Sequence, residues 1–310
     1  LKIPYDSEEC LDFNAKVMET IYLASMTASN DMAKSRYELM SKLIQYKFDY
    51  PEFYNSKFKL DDDQMNEYYH ILKPNKYELM RDISKTTLGE YSSFDGSPMS
   101  EGKFQFDLWN HELNDASPNK DKWFLLREDV IMYGTRNSLL TALMPTASTS
   151  QILGNNECFE FFTNNIYTRR TLSGEFILVN KHLVKDLISL GLWSENMKNL
   201  IILHKGSVQN IPQIPQDIRD VYKTVWEIKQ KDLIQMSADR GKFICQSQSL
   251  NLFFRDVNTA KLTSAHFHSW KSGLKTGMYY LRTEAASSAI AGLGVNMASG
   301  KIAPTVQISP

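Results

Sequence analysis

The chain is short of cysteine, of long apolar runs, of glycine-rich phosphate loops and of net charge, and each shortage removes a class of protein. Its three cysteines, Cys10, Cys158 and Cys245, are odd in number and far apart, with no CxxC pair. That excludes a disulfide framework or a zinc site as the basis of the fold and makes a reducing, cytoplasmic compartment the expectation. Apolar stretches such as Leu200-Ile201-Ile202-Leu203 fall far short of the roughly 20 residues a membrane-spanning helix needs. Net charge is −1, so no global field draws the chain to nucleic acid or to an anionic membrane, and neither is expected as a partner. Neither a G-x-G-x-x-G fingerprint nor a Walker A loop occurs. The first residues, Leu1-Lys2-Ile3-Pro4-Tyr5-Asp6, carry no signal-peptide pattern and no initiating Met, and read as the interior of a longer chain.

What is present is ordinary globular material: 310 residues, 42% hydrophobic and 23% charged, enough for one large domain or two smaller ones. Leu11, Val17, Met18, Ile21, Tyr22 and Met26 recur at helical spacing, which predicts a helix over 7–34 capped by Asp6 or Ser7. Residues 35–88 change texture, with many Tyr, Lys and Asp and the run Asp61-Asp62-Asp63, and read as a helical, surface-lying insertion. The strings Arg36-Tyr37-Glu38-Leu39-Met40 and Lys76-Tyr77-Glu78-Leu79-Met80 resemble each other, over too short a stretch to separate duplication from coincidence. Residues 89–109 read as loop and 121–133 as a short helix. The apolar run Ser138-Leu139-Leu140-Thr141-Ala142-Leu143-Met144 stops at Pro145, which fits a buried strand better than a helix. Beyond a polar turn and a helix start, 175–179, 243–245, 250–254 and 278–282 read as extended. Residues 181–191, 216–240 and 259–274 read as helical, and such alternation predicts an α/β architecture.

Four clusters carry possible chemistry. Pro145-Thr146-Ala147-Ser148-Thr149-Ser150 sets small hydroxyl residues at a helix start, where free backbone N–H groups and the helix dipole suit a phosphate. A plain N-cap with polar neighbours fits the same string. In Met278-Tyr279-Tyr280-Leu281-Arg282-Thr283 the adjacent tyrosines on a regular strand would face opposite ways, one buried and one exposed. The alternative is a redox pair, since phenols pass an electron and a proton over short steps. Asn155-Asn156-Glu157-Cys158-Phe159-Glu160 and Asn164-Asn165-Ile166-Tyr167-Thr168-Arg169-Arg170 read as polar loop able to support the first cluster from behind. Gln246-Ser247-Gln248-Ser249-Leu250-Asn251 reads as a buried hydrogen-bond network. His266 and His268 form no recognisable triad, and nothing nearby marks Cys158 or Cys245 as a reactive thiol.

Taken together the strings are specific. Met144-Pro145-Thr146-Ala147-Ser148-Thr149-Ser150-Gln151-Ile152-Leu153-Gly154, then Tyr167-Thr168-Arg169-Arg170 and Leu172-Ser173-Gly174-Glu175-Phe176, resemble the large subunit of class I ribonucleoside-diphosphate reductases of eukaryotic and viral type. So do Tyr222-Lys223-Thr224-Val225-Trp226-Glu227-Ile228, the 246–251 string, Lys261-Leu262-Thr263-Ser264, and Gly273-Leu274-Lys275-Thr276-Gly277 running into the tyrosine pair. The resemblance implies a ten-stranded α/β barrel, of which residues 1–310 are the C-terminal part, with 35–88 as an atypical insertion and 291–310 as a flexible tail. It implies reduction of ribonucleoside diphosphates by radical chemistry. Thr146, Ala147, Ser148 and Thr149 would hold the substrate's diphosphate, and Tyr279 and Tyr280 would relay the radical. The partners it implies are the rest of the large subunit, a small subunit with the di-iron tyrosyl radical centre, and a thioredoxin or glutaredoxin system. No cofactor or metal is expected on this chain, and the allosteric nucleotides, ATP and deoxynucleotides, would bind the N-terminal portion.

Departures from the family pattern are equally definite. None of Cys10, Cys158 or Cys245 matches the family's radical cysteine or its redox pair, and no cysteine pair follows Thr283. Phe161 stands where a proline is usual, Cys245 where an acidic residue is usual and Ala265 where a methionine is usual. Two readings follow: one piece of a reductase, or a non-catalytic fragment that at most binds nucleotide or the small subunit.

Overall fold

The computed structural model describes residues 1–49, 88–113, 117, 119–172, 174–284, 295–296 and 301–302. The chain divides into two compact units. Most of the 35–88 insertion, including the second of the two similar strings, and most of the 291–310 tail lie outside the described residues.

One unit comprises Lys16–Ala142 with Lys242–Gln246. Its backbone element is α1, Glu8–Asp49, which continues well past the expected end at residue 34. The reason is compositional: no glycine or proline interrupts 8–49, and the first breaker is Pro51. A short 3₁₀ turn, Pro98–Glu101, and two helices follow, α2 (Gln105–Leu108) and α3 (Lys120–Tyr133). The core is aromatic. Trp123 is buried with its ring 5.3 Å from Tyr22, 4.9 Å from Phe104 and 5.0 Å from Phe106. Its indole N–H needs an acceptor in that setting and donates to the buried Glu19 carboxylate at 3.2 Å. Asn30 ties α1 to the end of α3, donating to the Gly134 carbonyl at 2.8 Å.

The other unit comprises Leu1–Ala15, Leu143–Gly241 and Ser247–Pro310. After α4 (Ala147–Ile152), β1 (Ile166–Thr171) and β2 (Gly174–Val179) pair antiparallel from Ile166 with Val179 to Thr171 with Gly174. Helices α5 (Lys181–Ser189) and α6 (Glu195–Leu203) contribute Leu183, Leu187 and Ile201 to a buried cluster with Ile166, Ile211 and Ile214. Then come α7 (Gln216–Val221), α8 (Gln230–Gly241), β3 (Asn251–Phe254), α9 (Thr259–Lys271) and β4 (Tyr280–Thr283). Strands β3 and β4 are parallel, Asn251 opposite Tyr280 and Phe254 opposite Thr283. A parallel pair needs a crossover, and α9 supplies it. Two-residue strands β5 (Val295–Asn296) and β6 (Lys301–Ile302) pair antiparallel. Helices and strands alternate as an α/β chain should, and among the described residues the strands form two-stranded sheets without closing a barrel.

Four expectations need correction. Residues 138–144 form no strand: Leu143 makes one isolated bridge with Gln248, and Leu139 and Met144 are 52% and 66% exposed. The segment has no ladder on either side, so its apolar side chains are left facing solvent. Residues 243–245 are buried but lie in the turn leaving α8, so burial, and not strand pairing, explains their apolar character. The expected helix over 216–240 is two helices. Between them Glu227 accepts hydrogen bonds from the Thr224 N–H and hydroxyl at 2.7 and 2.9 Å, and this local turn outcompetes helix. The polar string around 164–170 is largely strand β1, not loop.

A buried amide anchors that hairpin. Asn165 donates to the Gly206 and Tyr222 carbonyls at 3.0 and 2.9 Å and accepts from the Asn180 amide at 2.9 Å. Asn165→Ala would take this partner from the Tyr222 carbonyl and the Asn180 amide, while the Gly206 carbonyl keeps the Asn165 backbone N–H at 3.2 Å. We expect it to cost about 3 kcal/mol in chemical denaturation, and a loss under about 0.5 kcal/mol would show that the network does not hold the unit together.

Candidate functional site

The turn that opens α4 is built on strain. Thr146 has φ 58° and ψ 25°, a left-handed conformation that β-branched residues adopt rarely. Its hydroxyl donates to the Pro145 carbonyl at 2.6 Å, so it does not cap the helix. The first helical bond is Ser150 N–H to the Thr146 carbonyl at 2.8 Å. The N–H groups of Ala147, Ser148 and Thr149 precede that bond, and their side chains are exposed. Ser150 is buried, and its hydroxyl has no hydrogen-bond partner among the described residues.

The chain then folds back on this turn. Gly154 has φ 68°, Asn155 N–H donates to the Ser150 carbonyl at 2.7 Å, and Cys158 N–H donates to the Pro145 carbonyl at 3.0 Å. Gly154 also faces the Lys181 ammonium, which would lie 3.2 Å from a Cβ placed there. Behind the loop sits a polar cluster. The Asn251 amide, fully buried on β3, donates to the Glu160 carboxylate and, at 3.8 Å, to the Cys158 sulfur. Burial pushes the Glu160 carboxyl up to about 6, against the opposing pull of its Asn251 hydrogen bond and the Arg282 charge. Burial, together with the charges of Glu160 and Glu157, pushes the Cys158 thiol up to about 12.

Strand β4 delivers the tyrosines to the same loop. Tyr279 N–H donates to the Leu250 carbonyl at 2.6 Å just before the β3–β4 pairing begins. Tyr279 and Tyr280 do not divide into one buried and one exposed ring. They are 50% and 52% exposed, and their rings pack edge-on with centroids 4.3 Å apart. Tyr279 precedes the regular strand, which frees it from the alternation that would have separated them. A hydrogen bond with Tyr280, followed by that neighbour's charge, holds the Tyr279 phenol above its usual range. Two residues on, the Arg282 guanidinium lies 3.3 Å from the Glu157 carboxylate and 5.4 Å from the centroid of the Tyr280 ring. The loop of Glu157 and Cys158 is therefore bonded to Pro145 on one side and to Arg282 on the other.

Sequence reasoning named most of these positions but missed Tyr5 and Arg240. The Tyr5 hydroxyl donates to the Phe159 carbonyl at 3.0 Å, and its ring lies 4.4 Å from Phe161. Burial pushes the Tyr5 phenol up to about 12, the nearby Arg240 charge resisting. The buried Arg240 guanidinium sits 4.3 Å over the Phe159 ring and donates to Gln248 at 2.7 Å. Contacts between such distant residues leave no local pattern to read. Of the buried network expected over 246–251, Gln248 and Asn251 take part, the Gln248 amide donating to the Ser237 carbonyl at 2.7 Å, while Gln246 and Ser247 are exposed. Among the described residues no group of three or more metal-type side chains converges, and no helix is long and apolar enough to cross a membrane.

Cys158 gives a direct check on the electrostatics. At pH 8 a thiol held near 12 is almost wholly protonated, so iodoacetamide should alkylate it at least about a hundredfold more slowly than an unperturbed cysteine. Peptide mass spectrometry reads this, and labelling at the rate of a free cysteine would refute the burial of that thiol.

Comparison with known proteins agrees with the strings read above. The family profile described as ribonucleotide reductase, barrel domain, matches residues 1–280. The ribonucleoside-diphosphate reductase large subunit of Trypanosoma brucei brucei is 46% identical over 299 residues, covering 94% of this chain and 30% of that protein. The large subunit of Acanthamoeba polyphaga mimivirus is 45% identical over 93% of this chain and 27% of its own length. The large chain of Schizosaccharomyces pombe is 58% identical over 65% of this chain and 24% of its own. The chain thus spans less than a third of the length of these relatives. On the extent of the barrel-domain match and of these identities, the chain belongs to the ribonucleotide reductase large-subunit family.

Proposed function

We propose that this chain supplies the diphosphate-binding turn and the tyrosine relay of a class I ribonucleoside-diphosphate reductase. In this reading the N–H groups of Ala147, Ser148 and Thr149, with the hydroxyls of Ser148 and Thr149 and that of Thr146 once it turns from the Pro145 carbonyl, hold the diphosphate of a ribonucleoside diphosphate. Oriented amides at a helix start are suited to that charge. Tyr280 and Tyr279, edge to edge with a shared hydrogen bond, pass an electron and a proton toward the ribose. The single observation that carries the reading is the loop of Glu157 and Cys158, bonded at once to Pro145 beside the turn and to Arg282 beside the tyrosines.

The rest of the chemistry falls to other chain segments and partners. None of the three cysteines matches the family's radical position, and the environment of Cys158 keeps its thiol protonated. The reading therefore needs the remainder of a large subunit to supply the reacting cysteines and the effector sites. It needs a small subunit whose di-iron tyrosyl radical centre would be the source of the oxidising equivalent. A thioredoxin or glutaredoxin system would restore the reductant, and the cytoplasm is the compartment that suits these partners. A second reading, a non-catalytic fragment that at most binds nucleotide or the small subunit, rests on the unmatched cysteines Cys10, Cys158 and Cys245.

Two outcomes separate these readings. Tyr280→Phe in the reductase assembled with the remaining large-subunit segment and a small subunit should abolish turnover while leaving ribonucleoside diphosphate affinity unchanged. Normal turnover would remove Tyr280 from the relay. Expressed by itself, the chain exposes Phe124, Leu125, Met132, Met144 and Ile152; such apolar surface favours aggregation. Soluble yield should rise sharply on co-expression with an N-terminal complement, and a soluble monomer without one would count against an incomplete fold.

A further inference from the structure

Arg282 is not explained by the turn or by the phenols themselves. Its guanidinium stands over the Tyr280 ring at 5.4 Å and pairs with Glu157 at 3.3 Å. Arg282 is also one of the charges acting on Glu160, whose carboxylate the buried Asn251 amide holds in place. An ion pair whose side chains are 43% and 28% exposed contributes little to stability, so stability does not account for it. A cation fixed against an aromatic face does constrain the ring it covers.

We propose that Glu157 clamps Arg282 against Tyr280, making Arg282 a positioning residue for the tyrosine pair. This rests on the relay reading and goes beyond it. Glu157 and Cys158 belong to the loop bonded to Pro145, so the clamp fixes the tyrosines relative to the turn. Every element around it contributes a named group: Glu157 and Cys158 from its own loop, Asn251 from β3, Arg282 from β4, Arg240 from α8 and Tyr5 from the N-terminal segment.

The test uses the assembled reductase with 3-aminotyrosine in place of Tyr280, its radical read by electron paramagnetic resonance after mixing with small subunit, substrate and effector. Glu157→Gln and Arg282→Gln should each lower the radical yield about tenfold, with ribonucleoside diphosphate affinity within twofold of the parent. The charge-reversed double variant, Glu157→Arg with Arg282→Glu, should recover part of the Glu157 loss, which a merely misfolded single variant would not. An unchanged yield in Glu157→Gln overturns the clamp and leaves the relay standing. No radical at position 280 in the parent overturns both.

Discussion

The parallel pairing of β3 with β4 is the constraint on which the site depends. Asn251 lies opposite Tyr280, and the Leu250 carbonyl accepts the Tyr279 N–H one residue earlier. That register puts the phenols at the edge of the pair and Arg282 two residues along it, next to Glu157. A shift of one residue would turn each side chain of β4 to the other face. The buried contacts of β3 resist it: Leu252 and Phe253 pack with Val225, Leu233 and Ile234, and the Phe253 N–H donates to the Gln230 side chain at 2.7 Å. The apolar core thus sets the register, and the register sets the position of the polar groups.

The polar groups behind the loop are held in a state ordinary surface residues would not adopt. Burial raises both the Glu160 carboxyl and the Cys158 thiol; the Glu160 and Glu157 charges push the thiol up further, while a hydrogen bond with Cys158 works against the rise at Glu160. A protonated Cys158 is a weak nucleophile, which suits a structural place behind the α4 turn. Arg240 and Tyr5 close the cluster from below, with the guanidinium stacked on Phe159. Asn251 Oδ1, Ser150 Oγ and one Arg240 nitrogen are buried without a hydrogen-bond partner among the described residues.

The sequence was most legible where local signals and packing agreed. The helix expected over 121–133 is α3 within one residue, because Trp123, Leu126 and Val130 bury one face. The strand expected over 175–179 and the extended runs near 250–254 and 278–282 are present, and the helix start after Pro145 falls where the hydroxyl string placed it. The misses share a cause: apolar content was taken for pairing. Leu139 and Met144 had the composition of a buried strand but find no ladder. Polar Asn164 to Arg170 had the texture of a loop, yet a hairpin partner makes most of it a strand. Tyr5 and Arg240 were unreadable in principle, since their role comes from distant contacts. The edge-on tyrosine pair was hidden by assuming a regular strand through both residues.

In the proposed function the α4 turn and the tyrosine pair serve one nucleotide. The most direct measurement is a structure of the assembled reductase with a ribonucleoside diphosphate bound. It should place phosphate oxygens on the backbone N–H groups of Ala147, Ser148 and Thr149, with Tyr279 and Tyr280 still packed beside the loop of Glu157 and Cys158. A diphosphate held elsewhere, or a tyrosine pair separated from that loop, would contradict it.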